Sequence, residues 1–355
     1  MCDNTGVDPR LAAADSQDRQ NSLTPPRAPV VAVVVAAYNA GGAVARAVAS
    51  ALAEPQTAEV WVVDDASSDD TLERARAADD GSGRLRLLRQ PRNAGPAAAR
   101  NRALDALSAD WICVLDSDDY FLPGRLERLL AAAEGWDLVA DALIPVQADE
   151  PPPTRPAYDP GPAEPLGFAA FVEGNISRPG RHRRELGFMK PLMRRAFLEA
   201  HGLRYAEAMR LGEDYELYAR LLAAGARLRF VGPAGYVAVE RPGSLSGRHA
   251  IADLEALRRA DDGLGRLPGL SPADRAAVRA HAASVEERLQ WRRLIEAVKR
   301  RDGAMALSTV TSPRIGLHLA RALLDQAWIR TARRLRRALG RPGSDASSPS
   351  TTPGA

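Results

Sequence analysis

Lysine is almost missing from this chain of 355 residues. Lys190 and Lys299 are the only two among 48 basic side chains, so the positive charge is carried by arginine. Cysteine is equally scarce: Cys2 sits in a polar stretch and Cys113 in an apolar run, which argues against a disulfide framework or a cysteine metal site. Aromatics make up 5%, and no apolar run reaches the length that crosses a bilayer. The polar beginning carries no signal-peptide pattern. A cytoplasmic protein is expected, either free or peripheral on the cytoplasmic face of a membrane. Net charge is only +3, too small to point to nucleic acid. No Gly-x-Gly-x-x-Gly follows the first apolar run, so the dinucleotide-binding fingerprint is absent.

What is there is an apolar fraction of 45%, enough for a full-sized core, laid out as an alternation. Residues 1–28 are polar, end near Pro25-Pro26, and are expected to form a disordered lead. The β-branched run 30–37 reads as a strand covered on both faces. Residues 59–63, 85–88 and 111–115 read as further strands. Residues 42–53, 69–78, 96–107 and 123–133 read as helices, the last with Pro123 in its first turn. Short links between alternating elements predict an α/β fold with a mainly parallel sheet. The proline-dense 145–165 reads as an ordered loop or hinge, 213–224 as a helix and 227–231 as a strand. Beyond 250 the pattern is helical, with one helix over 271–299 and another over 313–339. The expected division is a lead over 1–28, an α/β domain over 29–250, a helical extension over 251–340 and a disordered tail over 341–355.

The chemistry gathers at strand ends, where α/β sheets bind ligands. The fourth strand runs into Asp116-Ser117-Asp118-Asp119. Carboxylates crowded this closely raise one another's cost, and a divalent cation with oxygen ligands resolves the conflict. A solvated helix cap is the plainer alternative. The first strand ends in Tyr38-Asn39 and the second in Asp64-Asp65 followed by Ser67-Ser68-Asp69. An aromatic, an acid pair and an acid cluster converging on one crevice suit a nucleoside diphosphate. Tyr38 would face the base, Asp65 would accept from the base or ribose, and a cation would sit between Asp118 and the diphosphate.

Four ordered pieces resemble the GT-A-fold glycosyltransferases of family 2. They are Ala36-Ala37-Tyr38-Asn39-Ala40, the Val62–Asp69 run, Asn93-Ala94-Gly95-Pro96 leading to Arg100-Asn101, and Leu115-Asp116-Ser117-Asp118-Asp119. Gly212-Glu213-Asp214-Tyr215-Glu216 fits that family's later acidic motif. Lys190-Pro191-Leu192-Met193-Arg194-Arg195 and the stretch 239–249 further resemble the glucosyltransferases of succinoglycan-type exopolysaccharide assembly. The resemblance covers about 29–250. It implies a GT-A fold and an inverting transfer of a hexose, glucose above all, from a UDP-sugar to a glycan hydroxyl, the acceptor being carried on a polyprenyl diphosphate. It also implies Mg2+ or Mn2+ held by Asp118, with Asp116 assisting, to offset the leaving group's charge. Asp214 would be the base that takes the acceptor's proton, with Glu213 or Glu216 orienting it. Arg100 would reach the uracil or ribose, and Lys190 a phosphate or the acidic motif. Arg241, Ser244, Ser246 and His249 would close over the diphosphate, with His249 as a further metal ligand.

Other classes fit less well. A haloacid-dehalogenase-type phosphatase wants Thr or Val where Asp119 stands, and a calcium loop wants glycine where Phe121 stands. A non-catalytic nucleotide-sugar-binding subunit of an assembly complex stays open. The final helical stretch also has two open readings. Leu317, Leu324, Trp328, Leu335 and Leu339 recur at helical spacing beside Arg330, Arg333, Arg334, Arg336, Arg337 and Arg341. Such a helix can lie on an anionic bilayer, or pack on the domain with its arginines in water.

Overall fold

The computed structural model describes residues 30–151, 153, 159–162, 165–176, 186–240 and 250–338, with backbone alone at 329 and 332–338. The expected lead and tail lie outside the described residues.

The chain begins β1 (Val31–Ala37), α1 (Val44–Leu52), β2 (Thr57–Asp64), α2 (Thr71–Ala77), β3 (Leu85–Arg89), α3 (Pro96–Leu104) and β4 (Trp111–Val114). It continues β5 (Tyr120–Phe121), α4 (Arg125–Ala131), β6 (Leu138–Asp141), β7 (Ile144–Gln147), α5 (Phe168–Glu173), β8 (Leu192–Arg194) and α6 (Arg195–Ala200). Then come α7 (Glu213–Ala223), β9 (Leu228–Val231), β10 (Tyr236–Glu240) and the helices α8 (Ile251–Leu264), α9 (Pro272–Arg300), α10 (Gly303–Ser308) and α11 (Pro313–Ala338).

Seven strands form one sheet in the order β3-β2-β1-β4-β8-β6-β9, parallel except that β8 runs antiparallel to both β4 and β6. The expected mainly parallel α/β architecture is what the chain adopts. Strand order reverses between β1 and β4, and in such sheets the reversal opens the ligand crevice at the strands' carboxyl ends. β1 shows why the β-branched run is continuous: Ala32 and Val34 enter the core on one face, and Val31, Val33 and Val35 enter it on the other. Inside the expected loop 145–165 there is instead a strand. β7 pairs with β10 at the edge of a small sheet ordered β5-β10-β7, where Pro145 is tolerated because an edge strand leaves some N–H groups unpaired.

The helical region is not a separate body. Leu254 and Leu257 of α8 and Val278 and Val285 of α9 lie in the same apolar cluster as β1. α9 is opened by a reciprocal cap, in which Ser271 accepts from the Asp274 N–H while Asp274 reaches back to the Ser271 N–H. One face of α11 packs Ile315, Leu319 and Ala322 on Trp291 and Leu294 of α9. No helix among the described residues is long and apolar enough to cross a membrane.

Candidate active site

The ends of β1 and β2 are laced together. Asn39, at φ 48°, donates its N–H to Ser67 Oγ (2.9 Å) and accepts the Ser68 N–H on Oδ1 (2.9 Å). Ala40 N–H meets Thr71 Oγ1 at 2.8 Å and Gly41 N–H meets Asp69 Oδ2 at 3.0 Å. The Thr71 hydroxyl bonded to Asp69 holds that carboxyl below its usual range. These bonds fix the loop that carries Tyr38, whose ring is 53% exposed at the crevice side of β1. Asp65 is buried, and it accepts the Ala94 N–H, the Gly95 N–H and the Gln90 amide, each at 2.8 Å. A carboxylate has about four acceptor positions, so three are spent on the loop that opens α3.

The deeper part of the site is a lattice of buried charge. Arg100, on α3, donates through Nη1 to Glu213 Oε1 (2.7 Å) and Asp214 Oδ1 (3.2 Å), and through Nη2 to Asp116 Oδ1 (3.0 Å). Lys190 Nζ lies 2.6 Å from Asp214 Oδ2 and 3.0 Å from Asp116 Oδ2. Two cations thus span the end of β4 and the first turn of α7. Burial would raise the Asp116 carboxyl, but Lys190 and Arg100 outweigh it and hold the group below its usual range. Burial would lower the Lys190 ammonium, but Asp116 and Asp214 drive it well above its usual value. Glu213 moves the other way: burial pushes it up, and repulsion from Asp214 adds to the shift against the pull of Arg100.

The expected residues therefore sort into distinct places. Asp214, Asp116, Arg100 and Lys190 meet. The Arg100 guanidinium, read from sequence as reaching a base or ribose, is bound by three carboxylates, and Lys190 is engaged with the acidic motif. Of the two glutamates considered beside Asp214, Glu213 joins the lattice and Glu216 is paired with Arg220 at 2.6 Å. Asp118 is half-buried at the turn, its backbone carbonyl accepting from Arg46 (3.0 Å). Among the described residues no group of three or more His, Cys, Asp or Glu side chains gathers as a cation cage. Arg241, Ser244, Ser246 and His249 lie outside the described residues.

Two further residues were not singled out from sequence. The Tyr236 hydroxyl donates to Asp119 Oδ2 (2.8 Å) and accepts the Asp116 N–H (3.1 Å), while Asp119 Oδ1 accepts the Val239 N–H (2.8 Å). Burial, with the Asp116 charge added, pushes Asp119 up to about 7. Arg125 is wholly buried. It pairs with Asp141 at 2.6 Å and donates to the Lys190 carbonyl at 2.7 Å, so it holds the backbone that presents Lys190. Each contact joins segments far apart in the chain, and no local spacing announces either one.

The family's pattern, described as glycosyl transferase family 2, matches residues 32–199. The chain is 49% identical over 268 residues to the succinoglycan biosynthesis protein ExoU of Rhizobium meliloti (strain 1021), an alignment covering 75% of this chain and 78% of that protein. The chain belongs to glycosyltransferase family 2. It is also 37% identical to the succinoglycan biosynthesis protein ExoO of the same organism, over 84% of this chain and 87% of that one. Among solved structures, S. aureus TarS 1–349 in complex with UDP superposes with a TM-score of 0.53 at 18% identity, covering 81% of this chain and 92% of that one. That likeness establishes the GT-A-like fold. The protein is accordingly a glycosyltransferase, and the lattice of Asp116, Lys190, Arg100 and Asp214 is its candidate catalytic centre.

Proposed function

We propose that this family 2 enzyme is an inverting, metal-dependent hexosyltransferase. It moves glucose from UDP-glucose, or another hexose from its UDP-sugar, to a hydroxyl of a lipid-linked glycan during exopolysaccharide assembly. The observation that carries this reading is the shared bridging of Asp116 and Asp214 by Lys190 and Arg100. The acid-rich end of β4 and the first turn of α7 are therefore joined in one lattice. A sugar bound against that lattice would have the leaving group toward β4 and the Asp214 carboxylate toward the acceptor.

In the reaction the acceptor oxygen attacks the anomeric carbon, the bond from that carbon to the diphosphate oxygen breaks, and the departing nucleoside diphosphate keeps the electron pair. The acceptor's proton passes to Asp214, which lies in the acidic first turn of α7, where the helix dipole favours an anion. One displacement without a covalent intermediate inverts the configuration. Lys190 and Arg100 place two positive charges beside the position where the diphosphate gains charge. Tyr38 stacks on the base, and Asp65 offers the base or ribose its remaining acceptor position. Asp118, half-buried at the turn, would hold Mg2+ or Mn2+ with Asp116 assisting, since these hard cations are bound by one or two carboxylates together with substrate phosphates and water. Bound there, the ion supplies Lewis-acid neutralisation of the leaving group. By the resemblance, Arg241 and Ser244 would serve the diphosphate and His249 would be an additional ligand of the ion.

The acceptor reading is supported by the relatives' names and by α11. Opposite its packed face, Leu324 and Trp328 are 70% and 74% exposed, with Leu317 on the same stripe. Residues 313–341 hold eight arginines and a single acid, Asp325. Apolar side chains at helical spacing amid arginine suit the cytoplasmic surface of an anionic bilayer, where a polyprenyl-diphosphate acceptor resides. The test of the whole reading is UDP release from UDP-glucose with Mg2+ or Mn2+, with and without a lipid-linked acceptor. Release that depends on both metal and acceptor is expected; none with any UDP-sugar or metal overturns it.

A further inference from the structure

The residue after the proposed base is tied to the helical region. The Tyr215 hydroxyl donates to Asp261 Oδ1 of α8 at 2.9 Å, and His281 Nδ1 of α9 lies 2.9 Å from both oxygens of the same carboxylate. The Tyr215 and His281 rings are 4.5 Å apart, and Phe171 of α5 stacks on Tyr215 with planes 14° apart. Asp261 and His281 are almost wholly buried. On the other side of Asp214, Gly212 caps α7 at φ +76°, and a Cβ there would lie 2.9 Å from Leu257 Cδ1 of α8. Leu257 and Asp261 are one helical turn apart and so share a face. One face of α8 therefore grips the catalytic turn both before and after Asp214.

Stability alone gives no reason for this arrangement, because an apolar group of similar size in place of a buried ionised carboxylate is often neutral or better. A hydrogen bond adds direction, which apolar packing supplies poorly. Building on the assignment of Asp214 as base, we infer that Asp261, braced by His281 and acting through Tyr215, is a positioning residue that sets the angle at which α7 presents Asp214 to the acceptor. The helical region is then part of the catalytic apparatus, although it lies outside the segment 32–199 that carries the family's pattern.

The test uses the full chain carrying Tyr215→Phe, Asp261→Leu, the pair together, and Asp261→Asn. Tyr215→Phe keeps the ring and its stacking, so it folds even if Asp261→Leu does not. Misplacement of a reacting group by about 1 Å costs on the order of 100-fold, so a partial loosening predicts a fall in kcat of about tenfold or more. UDP affinity, read by calorimetry, should stay within about twofold, since Tyr38 and Asp65 sit on other elements. The double variant should be no slower than the worse single, because both break one link. Asp261→Asn, which still offers an oxygen to Tyr215, should recover most of the rate. Unchanged kcat in Tyr215→Phe, equal losses in kcat and UDP affinity, or multiplicative losses in the pair would each overturn the inference. If Asp214→Asn turns over normally, the base assignment itself is what fails.

Discussion

Replacing Lys190 with methionine removes one charge while keeping most of the aliphatic stem. The ammonium lies 2.6 Å from Asp214 and 3.0 Å from Asp116, and the Lys190 and Asp214 side chains are 5% and 9% exposed. Withdrawing one member of a buried ion pair costs about 3–5 kcal/mol, because its partner stays buried and charged. Arg100 remains within 3.2 Å of Asp214 and 3.0 Å of Asp116, so the low end, about 3 kcal/mol, is expected at pH 8. Against a typical total of about 5–15 kcal/mol the variant stays folded. The sign of the pH dependence follows from Asp116, whose carboxyl is held below its ordinary 3.8 although burial alone would raise it. A depressed carboxyl contributes stability above the unfolded-state value and loses it as pH falls through the folded-state value. Without Lys190 the depression weakens and protonation relieves the repulsion. The gap between the two proteins should then narrow as pH falls below the variant's carboxyl value, by an amount that solvent reduces because the Asp116 side chain is 35% exposed. Urea unfolding at pH 8 and pH 3, followed by circular dichroism with matched m-values, measures both gaps. An equal loss at the two pH values would mean that Lys190 acts by packing, and the charge lattice would lose its energetic basis.

Asp214→Asn should lower kcat by about 10²–10⁴ while leaving UDP affinity within about twofold, and retained turnover would remove the base assignment. Leu324→Ser with Trp328→Ser should abolish co-sedimentation with anionic vesicles at low salt while activity on a soluble acceptor persists; unchanged sedimentation would dismiss the bilayer reading, and a shift to a smaller oligomer would assign the face to a second copy. Burial pushes the Cys113 thiol up, so iodoacetamide at pH 8 should label it only in urea, and fast labelling of Cys113 in the folded protein, read apart from Cys2 by peptide mapping, would contradict its place in the core.

What was legible in the sequence is what repeats locally. The β-branched run of β1, the acids after β4, Pro96 opening α3 and Gly212 before the acids of α7 each announce themselves within a few residues, and each sits at the strand or element end that the sequence indicates. The apolar and arginine-rich sides of the last helix were equally plain. In the fold, Ile315, Leu319 and Ala322 form a packed face opposite the exposed Leu317, Leu324 and Trp328.

What was not legible is pairing across distance. Glu213 and Glu216 differ by three positions on one helix and look equally suited to assist Asp214. Only the approach of Arg100 from α3, and of Arg220 along the same helix, separates a lattice member from a half-buried pair along α7. Arg125 is the sharper case. In sequence it is one arginine among many near a helix start. In the fold it is wholly buried, bound to Asp141 and to the carbonyl of Lys190 sixty-five residues away. Its burial is tolerated because each terminal nitrogen finds an acceptor, Nη1 the Cys113 sulfur of β4 and Nη2 both Asp141 of β6 and the Lys190 carbonyl just before β8. A helix terminus or a strand end can be read from neighbours because its physics is local, whereas a buried charge is satisfied by whatever the topology brings beside it. The directionality of the site depends on the second kind of contact: Lys190 is presented by Arg125, and the Asp214 turn is gripped by Leu257 and Asp261. Changes outside the recognisable motifs should therefore alter rate more than donor binding.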